Sequence, residues 1–154
     1  MLPLMRTFWQ EMGSLLFRRP AAVQVAALCW RVRKGKTEVL LVTSSQGRWL
    51  LPKGWPIDGL EAHQAALQEA WEEAGVKKGI AARKPIAQFR TTKTDASGVP
   101  MPCTQYVYKV EVKDVVKDYP ECDMRDRQWL TTTKAANVVD EEGLRPILRD
   151  FSPS

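Results

Sequence analysis

Gly54 to Val76 reads GWPIDGLEAHQAALQEAWEEAGV, and this stretch decides the fold. Pro56 and the glycines punctuate its first half, whereas Glu61 to Ala74 is built of strong helix formers, with Asp58 upstream as a candidate cap and Gly75 where a left-handed C′ residue belongs. On a helix at about 100° per residue, Glu69, Glu72 and Glu73 fall within about a 100° arc, because i, i+3 and i+4 are neighbours. Leu67, Ala70, Trp71 and Ala74 occupy a different sector, the one expected to pack on a sheet, and His63 projects toward it, which gives His63 a structural role. Ala62, Ala65 and Ala66 flank the acidic arc with small side chains that let a loop approach. Like charges at i, i+4 repel by about 0.2–0.5 kcal/mol per pair, so the triplet favours a counter-ion, and oxygen ligands suit a hard divalent cation. An E-x-x-E-E on a helix is also the pattern of a plain solvated acidic face. The helix alone does not choose between them.

Upstream, Ala21 to Arg33 is rich in Val, Ala and Leu and reads as a buried strand, hairpinned through Lys34-Gly35-Lys36 to a second at Glu38 to Val42. Trp49-Leu50-Leu51 is a short apolar piece ended by Pro52, and Lys53-Gly54-Trp55-Pro56 reads as a loop because two prolines and a glycine break either regular period. Downstream, strands are expected at Ile80 to Thr92, Gln105 to Val112 and Arg127 to Thr131, and short helices at Lys134 to Val139 and Glu142 to Asp150. Strands interrupted by one central helix and closed by terminal helices describe a layered α/β domain with a mixed sheet.

With these neighbours in place, Gly54 to Val76 resembles the Nudix box, G-x5-E-x7-R-E-U-x-E-E-x-G-U with U aliphatic. Seven of its nine specified positions match: Gly54, Glu69, Ala70, Glu72, Glu73, Gly75 and Val76. Leu51-Pro52-Lys53 and the strands on either side extend the likeness over roughly residues 22 to 150. The resemblance implies a Nudix-type α/β/α sandwich with a mixed β-sheet and the box helix on one face. It also implies hydrolysis of a pyrophosphate linkage by water attacking phosphorus in line, dependent on Mg²⁺ with Mn²⁺ as a substitute. Carried over residue by residue, Glu69 and Glu73 become metal ligands with the backbone carbonyl of Lys53 or Gly54, and Glu72 becomes the general base. Leu60 and Gln68 stand where the family has Glu and Arg, generally a structural ion pair. Losing both partners together strands no charge, so catalysis is expected to survive.

A polyphosphate needs cations away from the metal. Lys53 is best placed, then Arg48, with Ser44 and Ser45 as hydrogen-bond donors and Arg125 beside them; Arg90, Lys93 and Arg127 are further candidates. Trp55 offers a ring-stacking surface, whereas Tyr106 and Tyr108 read as sheet-face residues. Val39 to Ser45, Arg48-Trp49 and the E-E-A-G-V ending look most like the diphosphoinositol and diadenosine polyphosphate hydrolase branch. In that branch, basic residues on the first strand and near Tyr106 clamp phosphates; here those stretches are Ala22-Val23-Gln24 and Pro102-Cys103-Thr104-Gln105. A dinucleoside polyphosphate or other nucleotide pyrophosphate therefore ranks at least level with an inositol pyrophosphate.

The chain has 154 residues, 44% hydrophobic and 27% charged, enough to bury a core without disulfides or structural metals and too short for two independent domains. Six Trp, four Phe and three Tyr exclude disorder as the main state. Residues 21–151 form the expected domain, and residues 1–20 an N-terminal extension in which Leu4, Phe8, Met12 and Leu15 recur at helical spacing. The apolar runs there are too short for a signal peptide or membrane span, and Cys29, Cys103 and Cys122 form no CxxC pair, so the expected compartment is reducing and cytoplasmic. A net charge of +5 favours polyanions, but no RGG, RNP-type or Lys/Arg-rich run supports nucleic acid as the partner. No P-loop, GxGxxG or Ser/His/Asp set occurs. The expected state is a monomer or homodimer, and the alternative to an active hydrolase is a catalytically weak or inactive Nudix-fold module that binds a nucleotide or a partner.

Overall fold

A computed structural model describes residues 22–153; the expected N-terminal helix lies outside the described residues. The elements are β1 (Ala22–Arg33), β2 (Lys36–Thr43), β3 (Trp49–Leu50), β4 (Lys53–Gly54), α1 (Ala62–Ala74), β5 (Val76–Ala81), β6 (Ala87–Thr94), β7 (Pro100–Val115), β8 (Arg127–Thr131), α2 (Thr132–Val138) and α3 (Leu144–Arg149). The strands make one mixed sheet in which β1 and β7 run parallel, from Ala22 opposite Cys103 to Trp30 opposite Glu111, and the other pairs are antiparallel.

The buried middle of β1, residues 24–29, alternates between the two faces. Val25, Ala27 and Cys29 join the core under α1, and Ala26 and Leu28 join the core under α2 and α3, with Val39, Leu41, Phe89, Leu144 and Leu148. The result is helix, sheet, helix, the expected α/β/α sandwich. Ala65, Ala66, Ala70 and Ala74 are completely buried, so two of the small residues expected beside the acidic arc, Ala65 and Ala66, instead seat the helix on the sheet; Ala62 is exposed, and Leu67 and Trp71 are only partly covered.

Two local differences bear on the site. Lys53–Gly54, expected as loop, pairs with β1 at Ala26 and Val25. After the hairpin, β1 and β2 diverge: β2 pairs with β1 at residues 36–39 but with β3 at Val42 and Thr43. The segment from Trp49 to Gly54 fills the gap and satisfies backbone groups that the divergence would leave open. The helix starts later than Asp58 suggests, with Glu61 as N-cap and its backbone N–H donating to Oε1 of Gln64 at 2.9 Å.

Candidate active site

The box helix ends on two devices. Gly75 has φ of 71°, a conformation that costs glycine little, and a Cβ there would also meet Arg127 and Tyr119. Arg127 Nη1 donates to the carbonyl of Ala74 at 2.7 Å, a cation on the negative end of the helix. That position makes Arg127 a helix brace and takes it out of the cleft where the sequence reading considered it.

At the acidic face, Glu73 is buried despite its charge, with only 6% of its side chain exposed. Its Oε2 accepts the backbone N–H of Lys53 at 2.8 Å, and its Oε1 lies 3.1 Å from Nη2 of Arg125. Arg125 is held in turn by Glu121 Oε1, 3.0 Å from Nε, and by the Thr43 carbonyl, 2.8 Å from Nη1. Glu69 lies directly against Gly54, whose missing side chain makes room: a Cβ at position 54 would collide with the Glu69 carboxylate. Glu72 takes a lighter contact, accepting from Nε2 of Gln68 at 3.1 Å on the exposed side. The residue in place of the family's arginine thus contacts one of the box carboxylates. The other departure, Leu60, is exposed and pairs with nothing charged.

Burial pushes the carboxyl of Glu73 up to about 7, against the pull of the Lys53 N–H and of Arg125. Glu69 is also raised to about 7, first by burial and then by repulsion from Glu73, Glu72 and Glu121. The helix face therefore holds more negative charge than its protein partners neutralise.

These carboxylates line one end of a cleft of about 860 Å³. Nine residues singled out from sequence as catalytic, ligating or substrate-binding line that cleft: Ser44, Ser45, Arg48, Lys53, Gly54, Glu69, Glu72, Glu73 and Arg125. They come from the loop between β2 and β3, from β4, from α1 and from the loop before β8. Lys93 joins them, its ammonium 4.8 Å from the centre of the exposed Trp55 ring and its pKa lowered by burial and then by Lys53. Arg90 does not line the cleft. His63 is partly covered and its Nδ1 sits 3.4 Å from Glu61 Oε2; it does not line the cleft.

The sequence reading missed Glu121, Asp140 and Glu141, which also line the cleft. Their loops carry no periodicity or motif, and only folding brings them there. Glu121 is tied down by its N–H, which donates to the Glu72 carbonyl at 3.0 Å. One neutral amide, the buried Gln24, also lines the cleft; its Oε1 accepts from Gln105 Nε2 at 3.4 Å and from the Cys103 thiol at 3.6 Å.

Whether these groups suit a metal ion is a question of donor chemistry. All are hard oxygens, carboxylates of Glu69, Glu72 and Glu73 with backbone carbonyls of β4 close by, and they carry surplus negative charge; this suits a divalent cation. Among the described residues no three His, Cys, Asp or Glu side chains already enclose a metal position. Glu72 leans on Gln68 and Glu73 on Arg125, and both are side-chain contacts that rotation can exchange.

Comparison with known proteins agrees with this geometry. The NUDIX domain model matches residues 22–151. The chain is 32% identical over 124 residues to "Nudix hydrolase 13, mitochondrial" of Arabidopsis thaliana, covering 77% of this chain and 61% of that relative's length. It is 30% identical over 120 residues to human "Diphosphoinositol polyphosphate phosphohydrolase 3-alpha", covering 75% of this chain and 68% of the other. The fold is similar to that of a solved C. elegans Ap4A hydrolase in a binary complex, with a TM-score of 0.62 at 24% identity, covering 84% of this chain and 93% of that one. With Gly54 and the three box glutamates gathered in one cleft and the family model spanning nearly all the described residues, the chain belongs to the Nudix hydrolase family.

Proposed function

We propose that this protein is a divalent-cation-dependent hydrolase that cleaves a phosphoanhydride bond in a dinucleoside polyphosphate, an inositol pyrophosphate or a related nucleoside diphosphate derivative. The observation that carries the reading is the meeting, in one cleft, of Glu69, Glu72 and Glu73 with Lys53, Arg48, Lys93 and Arg125. A phosphoanhydride resists water largely because its charge repels nucleophiles. Mg²⁺, with Mn²⁺ as a substitute, would be held by Glu69, Glu73 and a backbone carbonyl of Lys53 or Gly54, and when bound it neutralises phosphate oxygens and acidifies water. Glu72, which accepts from Gln68 and is tied neither to Lys53 nor to Arg125, would take the proton of the attacking water. Lys53 and Arg48 pair with phosphate oxygens, Ser44 and Ser45 donate hydrogen bonds to them, and Arg125 supplies a fixed guanidinium.

Gln24 weighs on the substrate. A neutral amide at this place in the cleft suits a nucleoside better than a group carrying phosphates all round, so a nucleotide pyrophosphate is the favoured member of the class. The catalytic unit is residues 21–151, with 1–20 as an extension, acting in the cytoplasm as monomer or homodimer on a small molecule, with neither nucleic acid nor membrane as partner. No helix among the described residues is long and apolar enough to cross a membrane.

The test is product release from diadenosine polyphosphates, ADP-ribose, NADH, nucleoside triphosphates and an inositol pyrophosphate, each with and without Mg²⁺. Metal-dependent turnover lost in Glu72→Gln supports the reading. Leu60 and Gln68 favour a second one, a catalytically weak module that binds a nucleotide or partner; no turnover of any compound, with one of them raising the melting temperature, would replace the first reading by the second.

A further inference from the structure

The cations of the cleft are not equivalent. Arg48 reaches Asp140 only at 3.7 Å, and both side chains are more than 60% exposed. Arg125 is anchored along two edges of its guanidinium, Nε on Glu121 at 3.0 Å and Nη1 on the Thr43 carbonyl at 2.8 Å. Its third edge, Nη2, points at Oε1 of Glu73 at 3.1 Å. The first two partners lie outside the box helix and fix the plane of the group; the third is a carboxylate whose other oxygen already accepts the Lys53 N–H.

A divalent cation held by Oε1 of Glu73 would share that oxygen with a guanidinium, and two positive charges at such range repel strongly in a partly buried site. Arg125 would then lose the anion on its cleft-facing edge while keeping the other two anchors. A phosphate oxygen of the bound substrate is the anion available to replace it.

We propose that Arg125 is an exchange latch: Nη2 pairs with Glu73 until a divalent cation takes that carboxylate, and the same edge, still held in place by its other two anchors, then takes a phosphate oxygen of the substrate as its new partner. The inference rests on the phosphoanhydride-hydrolase reading and adds a coupling to it. Arg125 opposes cation binding when no substrate is present and favours it once a phosphate arrives, so cation and substrate strengthen each other, reciprocally.

The test is Mn²⁺ binding to EDTA-treated, desalted protein without substrate, by calorimetry, in the wild type, Arg125→Gln and Arg48→Gln. Arg125→Gln should bind Mn²⁺ about tenfold more tightly than the wild type, the scale of a charge-assisted hydrogen bond removed as competitor. Arg48→Gln, which removes the same charge without touching Glu73, should change the affinity less than about threefold, since exposed charges are screened. Equal affinities in wild type and Arg125→Gln, with Mn²⁺ bound in both, overturn the latch and leave the hydrolase reading standing. Absence of Mn²⁺ binding in all three proteins, together with no turnover, overturns both. Should Arg125→Gln fail to fold, the wild type decides: a Mg²⁺ titration followed by NMR should shift the Arg125 Nε–H resonance, and a resonance that stays still while Mg²⁺ saturates the protein rejects the proposal.

Discussion

The Lys53 backbone N–H and the Glu73 carboxylate meet at 2.8 Å, joining the two-residue strand that leads into the box to the far end of the box helix. That bond orients a buried carboxylate from below while Arg125 holds it from the side. Glu72, by contrast, carries only the contact with Gln68. The two neighbours should therefore fail differently when neutralised. Glu72→Gln and Glu73→Gln should each cost about two to four orders of magnitude in rate, as removal of a base or metal ligand does, but only Glu73→Gln should also move the melting temperature. Near-normal turnover in either variant would show the carboxylate roles to be misassigned.

Gly54 is required by contact. Gly54→Ala should cost about 1–3 kcal/mol, the usual penalty of forcing an extra carbon into a filled space, because the new Cβ meets the Glu69 carboxylate. Adding Glu69→Ala should restore most of that stability without restoring activity. If denaturant midpoints of the single and double variants show the two effects simply adding, the contact is not the cause.

The acidity of the face has a pH signature. Glu69 and Glu73 are each raised from 4.5 to about 7, so the folded state binds their protons more tightly than the unfolded state does. Their contribution to stability is complete below about 4.5 and is lost as pH rises through about 7. In EDTA, the melting temperature of the wild type relative to Glu69→Gln should fall between pH 5 and 8; a rise would contradict the shifts. Mg²⁺ added at pH 7 should release protons, which calorimetry in buffers of different ionisation enthalpy would count.

Arg127 provides a stability test away from the chemistry. Removing its hydrogen bond to the Ala74 carbonyl in Arg127→Met should cost about 1–2 kcal/mol, or roughly 2–4 °C in melting temperature per kcal/mol at this size. Mn²⁺ affinity should hardly change. A large loss of affinity with unchanged melting temperature would put Arg127 back in the cleft.

Leu60 and Gln68 can be returned to the family pattern. The double variant Leu60→Glu, Gln68→Arg should change turnover by less than about tenfold if the missing pair is only a brace. Turnover present in the double variant and absent in the wild type would establish the binding-module alternative.

Much of this molecule is a matter of local pattern. Helix spacing places Glu69, Glu72 and Glu73 on one side of α1, and Gly75 stops the helix because its φ of 71° is a conformation open to glycine. Alternation along β1 supplies both cores. What only the tertiary structure decided depends on contacts distant in the chain: that Lys53 and Gly54 pair with β1 rather than wander as loop, that Arg127 braces a helix while Arg125 reaches the cleft, and that Glu121 stands beside the box. Periodicity reports which way a side chain points from its own element, and it is silent on what another element brings opposite. The charge balance of the cleft is the sum over separated segments, and it exists only once the sheet has gathered them.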